Sequence, residues 1–341
     1  MDWIQDAFEE WNRDKEFSGV FAAYTADGAV FEAAEGYRNR AEKLPNQVTT
    51  AFGIASGTKL FTGLAACCLI DAGRLSPDAR LGAILDCDLG TIDVDITVRQ
   101  LLTHTSGVGD YIDEEADGCM EELAALYAKY PVYQWTELSY YLPMINTLPR
   151  KFAAGARYSY SNSGFVLLGM VVEQTSGMRF RDYVTETIIK PAGLAHTGFY
   201  RMDALPADTA FGYIQDEATG AWRTNVFCMP IVGGADGGLF TCARDCDRLW
   251  RAVFGGVLFS DAMLAEFAAP QISRGRQAHY GLGVYRRSEG ESVVYYAVGG
   301  DFGVDFFTAY IPRLDATVTA LGNTDRNTWP LLEHIIKMQQ E

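Results

Sequence analysis

A mixed α/β (α+β) fold is predicted: an antiparallel sheet flanked by N- and C-terminal helices, with a mainly helical domain inserted. Three observations predict it. β-rich runs occur near both ends of the 341-residue chain, the segment from about 75 to 200 reads as helices and loops, and a short amphipathic segment stands at each terminus. Strands contributed by both ends imply one sheet closed by distant parts of the chain, so the middle must be an excursion. The expected division is a discontinuous sheet domain, 1–60 and 205–341, and a helical domain, 61–204, with a site at their interface.

The elements follow in order. Residues 1–13 place Trp3, Ile4, Ala7, Phe8 and Trp11 on one helical face. "SGVFAAYTADGAVFEAAEGY" places two strand-forming runs either side of Asp27-Gly28, a hairpin signal. Lys59–Ala72 is small and apolar enough for a buried helix, and Gly73 suits its C-terminal cap. "ITVRQLLTHTSG" and "YSNSGFVLLGMVVEQTSG" each join an apolar helix to a Ser/Thr/Gly loop. From about 205 onward, glycine-rich turns separate short strands, among them "SVVYYAV", "DFFTAYI" and "TVTALGN". "NTWPLLEHIIKMQQE" closes the chain as a helix with Pro330 in its first turn.

Charge and composition narrow the partners. Forty-four acidic against 28 basic residues give a formal charge of −16, which argues against nucleic acid and anionic membranes. No apolar run approaches the roughly 18–20 residues that span a bilayer. The N-terminus lacks the basic and apolar regions of a signal peptide. The seven cysteines (Cys67, Cys68, Cys87, Cys119, Cys228, Cys242 and Cys246) form no regular framework. An odd, irregular set points to reduced thiols and a cytoplasmic setting, although a secreted chain trimmed of its leader would read the same.

Two constellations carry chemistry. In "FGIASGTKLFTG", Ser56 and Lys59 lie three residues apart, on one face of a helix. A serine hydroxyl becomes a nucleophile when a neighbour takes its proton, and a lysine does so once burial lowers its pKa. A capped helix start with a solvent-facing lysine is the plain alternative. In "YSYSNSGF", Tyr160 and Asn162 occupy a polar turn before an apolar helix, where a phenol relays protons and an amide orients its neighbours.

Other residues carry less. His104, His196, His279 and His334 show no metal-ligand spacing, no G-x-S-x-G elbow supports a triad through His104, and a structural loop histidine is the better reading. Cys67 and Cys68 read as core filling, and Cys242 and Cys246 lack partners for zinc. The acidic clusters "DCDLGTIDVD" and "DYIDEEADG" lack the calcium-loop pattern and read as solvated loops, the second placed where it could bear on substrate choice. "GLGV" is not a dinucleotide fingerprint.

Taken together, "FGIASGTKLFTG", "ITVRQLLTHTSGV", "YSYSNSGFVLLG", "PAGLAHTGF", "GADGGLFTCARDCDRLW" and "YGLGVY" resemble, in order, the serine hydrolase family of class C β-lactamases, D,D-carboxypeptidases and related esterases, from about residue 15 to 325. The resemblance implies a β-lactamase/transpeptidase-like fold and an acyl-enzyme on Ser56. It implies that Lys59 accepts or relays the serine proton, that Tyr160 acts as general acid or base, and that Asn162 binds Lys59 and substrate. It implies an oxyanion hole made by the Ser56 N–H and a donor beside Gly299, at Gly300. No metal or organic cofactor is implied. The chain departs from the family at the third motif, where relatives carry Lys-Thr-Gly or His-x-Gly and this sequence has Ala297-Val298-Gly299. The glycines remain and the cation that helps bind a substrate carboxylate does not. An esterase or amidase of small ester, amide or lactam substrates is therefore expected. The alternatives are a true β-lactamase or D,D-carboxypeptidase, and a non-catalytic binding protein on the same scaffold.

Overall fold

The computed structural model describes residues 1–289 and 292–339. Its centre is an eight-stranded antiparallel sheet. From edge to edge the strands are Gly28–Glu35, Gly19–Thr25, Ala316–Gly322, Val304–Ile311, Ser292–Asp301, Tyr285–Glu289, Ala278–Tyr280 and Ile272–Gly275. The N-terminal hairpin thus pairs with the C-terminal strand, with Gly19 opposite Gly322 and Tyr24 opposite Thr317. Both ends of the chain build one sheet, as the β-rich runs predict.

Alternation along the strands divides the core into two layers. Phe21 and Ala23 face the terminal helices Asp2–Asn12 and Trp329–Met338, meeting Ile4, Phe8, Leu331, Leu332 and Ile335. Val20, Ala22 and Tyr24 face the other way, into a larger core with Leu64, Phe165, Val166 and Trp250. That layer includes the helices Thr58–Asp71 and Asn162–Ser176, which pack on each other. Every residue from Thr58 to Cys67 is buried, so this stretch of the helix has no solvent-facing side.

Several elements differ in detail from the sequence expectation. The hairpin turn is Ala26-Asp27, with Gly28 already paired to Thr25. The buried helix begins at Thr58, preceded by a 3-10 turn at Ala55–Gly57, and ends at Asp71, with Gly73 left-handed at φ +67° just beyond it. The region after 205 holds two helices as well as strands, Ala243–Phe254 and Asp261–Ala268. The first presents Cys246, Leu249, Trp250 and Val253 to the core at helical spacing, and Trp250 Nε1 donates to Thr308 Oγ1 on the sheet at 2.9 Å. Of the predicted C-terminal helix, Gln340 and Glu341 lie outside the described residues. Among the described residues, no helix is long and apolar enough to cross a membrane.

Candidate active site

Ser56 sits where three segments meet. Phe52–Gly53 pairs with Phe240–Thr241, and the chain then turns through Ala55–Gly57 into the buried helix. Ala55 has φ +43°, a left-handed conformation costing a residue with a Cβ about 1–3 kcal/mol. Thr58 holds the turn in place: its Oγ1 donates to the Ala55 carbonyl at 2.8 Å and accepts from the Leu239 N–H at 3.0 Å. One helical turn on, Thr62 Oγ1 donates to the Ala235 carbonyl at 2.6 Å. These bonds bring the "GGADGGL" loop against the start of the helix Thr58–Asp71.

Lys59 is the buried centre of the arrangement, 3% exposed. Its Nζ lies 3.0 Å from Ser56 Oγ, 2.6 Å from Asn162 Oδ1 and 2.6 Å from the Asp236 carbonyl oxygen. An amide oxygen and a backbone carbonyl can only accept, whereas a hydroxyl can also donate. A neutral amine therefore directs its two N–H groups at Asn162 and Asp236 and its lone pair at the Ser56 hydroxyl. Burial moves the lysine toward that state, lowering its pKa against the opposing pull of the carboxylates of Asp236, Glu114, Asp110 and Asp301.

Asn162 is fixed from several sides. Its Nδ2 donates to Glu114 Oε1 at 2.7 Å, which leaves Oδ1 for Lys59. It opens the helix Asn162–Ser176, whose first N–H groups need partners. Asp110 accepts from the N–H of Asn162 and of Ser163, both at 2.8 Å, and Ser161 Oγ accepts from the Gly164 N–H at 3.0 Å. Burial raises the Asp110 carboxyl to about 6 against those hydrogen bonds.

Tyr160 lies over Lys59, its ring centroid 4.9 Å from Nζ, and its hydroxyl turns to the Ser56 side chain. Burial raises the phenol's pKa well above its ordinary value, so the hydroxyl keeps its proton. The buried His104 ring packs on Tyr160 with centroids 4.6 Å apart, and His104 Nδ1 accepts from the Ser161 N–H at 3.1 Å. Burial holds this imidazole neutral, far below its ordinary pKa, and its contacts are those of a support for the tyrosine loop.

The third motif lies on Ser292–Asp301. The neighbouring strand Tyr285–Glu289 pairs only as far as Tyr296, so residues 297–301 have one free edge. A Cβ at Gly299 would fall 2.1 Å from the Ile54 carbonyl oxygen and 3.0 Å from the Ser56 nitrogen, so only glycine permits this approach. Asp301 and Val304 close a hairpin over Phe302-Gly303. A two-residue turn closes on a hydrogen-bonded pair, and bonded and unbonded pairs alternate behind it. Gly300, opposite Asp305, is therefore in an unbonded pair, and its N–H points to the free edge.

A cavity of about 640 Å³ opens beside Ser56. Tyr111, Tyr127, Tyr141 and Met229 give it an apolar wall, and Glu114, Asp236, Asp301, Asp305 and Asp325 make it acidic. No Lys, Arg or His is among its described lining residues. Burial raises Asp301 to about 7 and Asp305 to about 6. Among the described residues, no cluster of three or more His, Cys, Asp or Glu is arranged to hold a metal ion.

The structure thus brings Ser56, Lys59, Tyr160 and Asn162 together, with Gly299 and Gly300 alongside. Sequence reasoning missed the Asp236 carbonyl and Asp301. It read Asp110 and Glu114 as part of a solvated loop, although "DYIDEEADG" follows a motif expected near the site.

A family model described as Beta-lactamase matches residues 4–338. Penicillin-binding protein 4* of Bacillus subtilis (strain 168) is 26% identical over 295 residues, which cover 82% of this chain and 62% of that protein. The chain spans 62% of the length of that relative and 37% of the length of protein flp of Staphylococcus aureus. A crystal structure of a penicillin binding protein from Bacillus halodurans superposes with a TM-score of 0.90 at 36% identity, covering 98% of this chain and 99% of that one. A D-stereospecific amidohydrolase from Streptomyces sp. superposes with a TM-score of 0.81 at 25% identity, covering 97% and 96%.

Proposed function

The chain belongs to the Beta-lactamase family, and from that premise we propose that it is a serine hydrolase that forms an acyl-enzyme on Ser56 and acts as an amidase or esterase of small substrates. The observation that carries this reading is the partner set of Lys59, two obligate acceptors and one hydroxyl at 2.6, 2.6 and 3.0 Å.

Ser56 Oγ attacks the substrate carbonyl carbon as its proton passes to the Lys59 lone pair. The oxyanion forms between the N–H groups of Ser56 and Gly300; one such donor contributes about 10²–10³ in rate. Collapse breaks the bond to the leaving amine or alcohol, which takes its proton from the neutral Tyr160 hydroxyl, itself resupplied from Lys59. Water then attacks the acyl carbon as its proton passes along the same path to Lys59, and collapse breaks the bond to Ser56 Oγ, which takes that proton back as the acid is released. The high pKa of Tyr160 supports this donor role over a resting phenolate base. The division into a sheet part, 1–60 and 205–341, and a helical part, 61–204, fits a site made where they meet.

The acidic cavity favours substrates without the carboxylate that penicillins and D-Ala-D-Ala peptides carry. Similarity over nearly the whole chain to a D-stereospecific amidohydrolase supports amide cleavage. The test is intact-mass labelling with a neutral fluorophosphonate. One adduct on wild type and none on Ser56→Ala is expected; an unlabelled wild type, or equal labelling of the variant, overturns the proposal.

A further inference from the structure

We propose that Asp301, with Glu114 beside it, recognises a protonated amine on the acyl part of the substrate, so that the site takes small amides or esters of amino acids with a free ammonium group. This rests on the reading of Ser56 as the acylated nucleophile.

Along a strand, side chains alternate, so Asp301 projects from the same face as the missing Cβ of Gly299. That Cβ direction ends 3.0 Å from the Ser56 nitrogen. Two residues further, about 7 Å along the strand, stands the Asp301 carboxylate. The carbonyl held by the Gly300 N–H therefore lies between the nucleophile and this acid, and an amine one or two bonds from the carbonyl faces it.

Hydrogen-bond accounting shows which carboxylate oxygens are free. Asp236 Oδ2 accepts from the Tyr111 hydroxyl, Glu114 Oε1 from Asn162 Nδ2 at 2.7 Å, and Asp301 Oδ1 from the Phe302 N–H at 2.8 Å. Asp301 Oδ2 and Glu114 Oε2 take part in none of the hydrogen bonds among the described residues, and both side chains line the cavity. Nor does Asp110, Glu114, Asp236, Asp301, Asp305 or Asp325 belong to an ion pair there. These carboxylates have no ion-pair partner among the described residues, and burial already resists the Asp301 charge. An ammonium supplies both the charge and the N–H donors. A substrate carboxylate would meet like charge on several sides, which rejects it. The tyrosine and methionine wall suits an apolar side chain on the same amino acid.

The test uses p-nitroanilides of phenylalanine of each hand, with a free amine, an N-acetyl group or an N-succinyl group. The readout is the ratio of kcat/KM values within one preparation, so that loss of folded protein cancels. Wild type is expected to prefer the free amine over the N-acetyl form by about 10- to 100-fold, the range of a hydrogen bond to a charged group. Asp301→Asn brings the ratio to within about threefold, Asp301→Glu keeps it, and Asp301→Lys shifts preference to the N-succinyl form. Where an anilide is not turned over, the same ratio is read as protection of Ser56 from fluorophosphonate labelling by the corresponding phenylalaninamides. A wild type that does not discriminate, or an Asp301→Asn variant that still does, overturns the amine proposal alone. A wild type neither labelled nor active on the panel removes the serine hydrolase reading and this one with it.

Discussion

The two sides of the cavity are built on opposite principles. On the side of Ser56, Lys59, Tyr160 and Asn162, the polar groups are tied to fixed partners: the lysine has three, the asparagine amide is set by Glu114, and the helix start is closed by Asp110 and Ser161. On the side of Gly299, Gly300 and Asp301, the backbone edge and one carboxylate oxygen have no partner among the described residues. In the proposed reaction the first side moves the proton and the second is completed by the substrate. Preorganisation of this kind is what lets a low-dielectric site act without reorganising during the reaction.

The largest effect should come from breaking the tied side. Lys59→Ala removes the proton acceptor and leaves two buried acceptors unpartnered; kcat/KM is expected to fall by about 10³–10⁴, measured on the best substrate of the panel. Next comes the boundary between the sides. Gly299→Ala places a methyl 2.1 Å from the Ile54 carbonyl, so the strand and the nucleophile turn must part. A loss of about 10²-fold is expected from the displaced oxyanion donor, whereas Gly300→Ala, with nothing within 4 Å of its Cβ, should lose less than about tenfold. Equal losses at the two glycines would contradict the close approach.

Asp110→Asn tests the support behind the tied side. It weakens the cap on two helix N–H groups, and a destabilisation of about 1 kcal/mol is expected, read from denaturant midpoints, with a drop in kcat through Asn162. The smallest effect is a slope. Burial raises the Asp301 carboxyl to about 7 and that of Asp305 to about 6, above the ordinary aspartate value of 3.8. The folded state therefore holds more protons than the unfolded state between about pH 4 and 7, and these groups make stability fall as pH rises through that window. Asp301→Asn should flatten that fall in urea titrations from pH 4 to 8, and an unchanged slope would show that Asp301 ionises freely.

The tied side was largely legible in the sequence, because its side chains carry their chemistry in short motifs. Ser56, Lys59, Tyr160 and Asn162 were named from spacing and resemblance, and the sheet from two distant β-rich ends. The Asp236 contribution was not legible, since it is a backbone carbonyl brought to Lys59 across 177 positions by the packing of a glycine-rich loop. Asp110 and Glu114 read as a solvated acidic run because their partners, the first N–H groups and the amide of a distant helix, appear only on folding. Asp301 is not legible because its place beside Ser56 depends on the strand pleat and the hairpin that closes at Val304. The helix Ala243–Phe254 was hidden among turn residues, although its apolar positions recur at helical spacing.

The central claim is that Lys59 works as a neutral amine toward Ser56. The pH dependence of the second-order rate of Ser56 labelling by a neutral fluorophosphonate tests it most directly. The rate should rise through a single ionisation below the ordinary lysine value of 10.5 and then level off, with that ionisation absent in Lys59→Ala. A wild-type rate that rises only at or above that value, or that keeps the same profile in Lys59→Ala, would contradict the account.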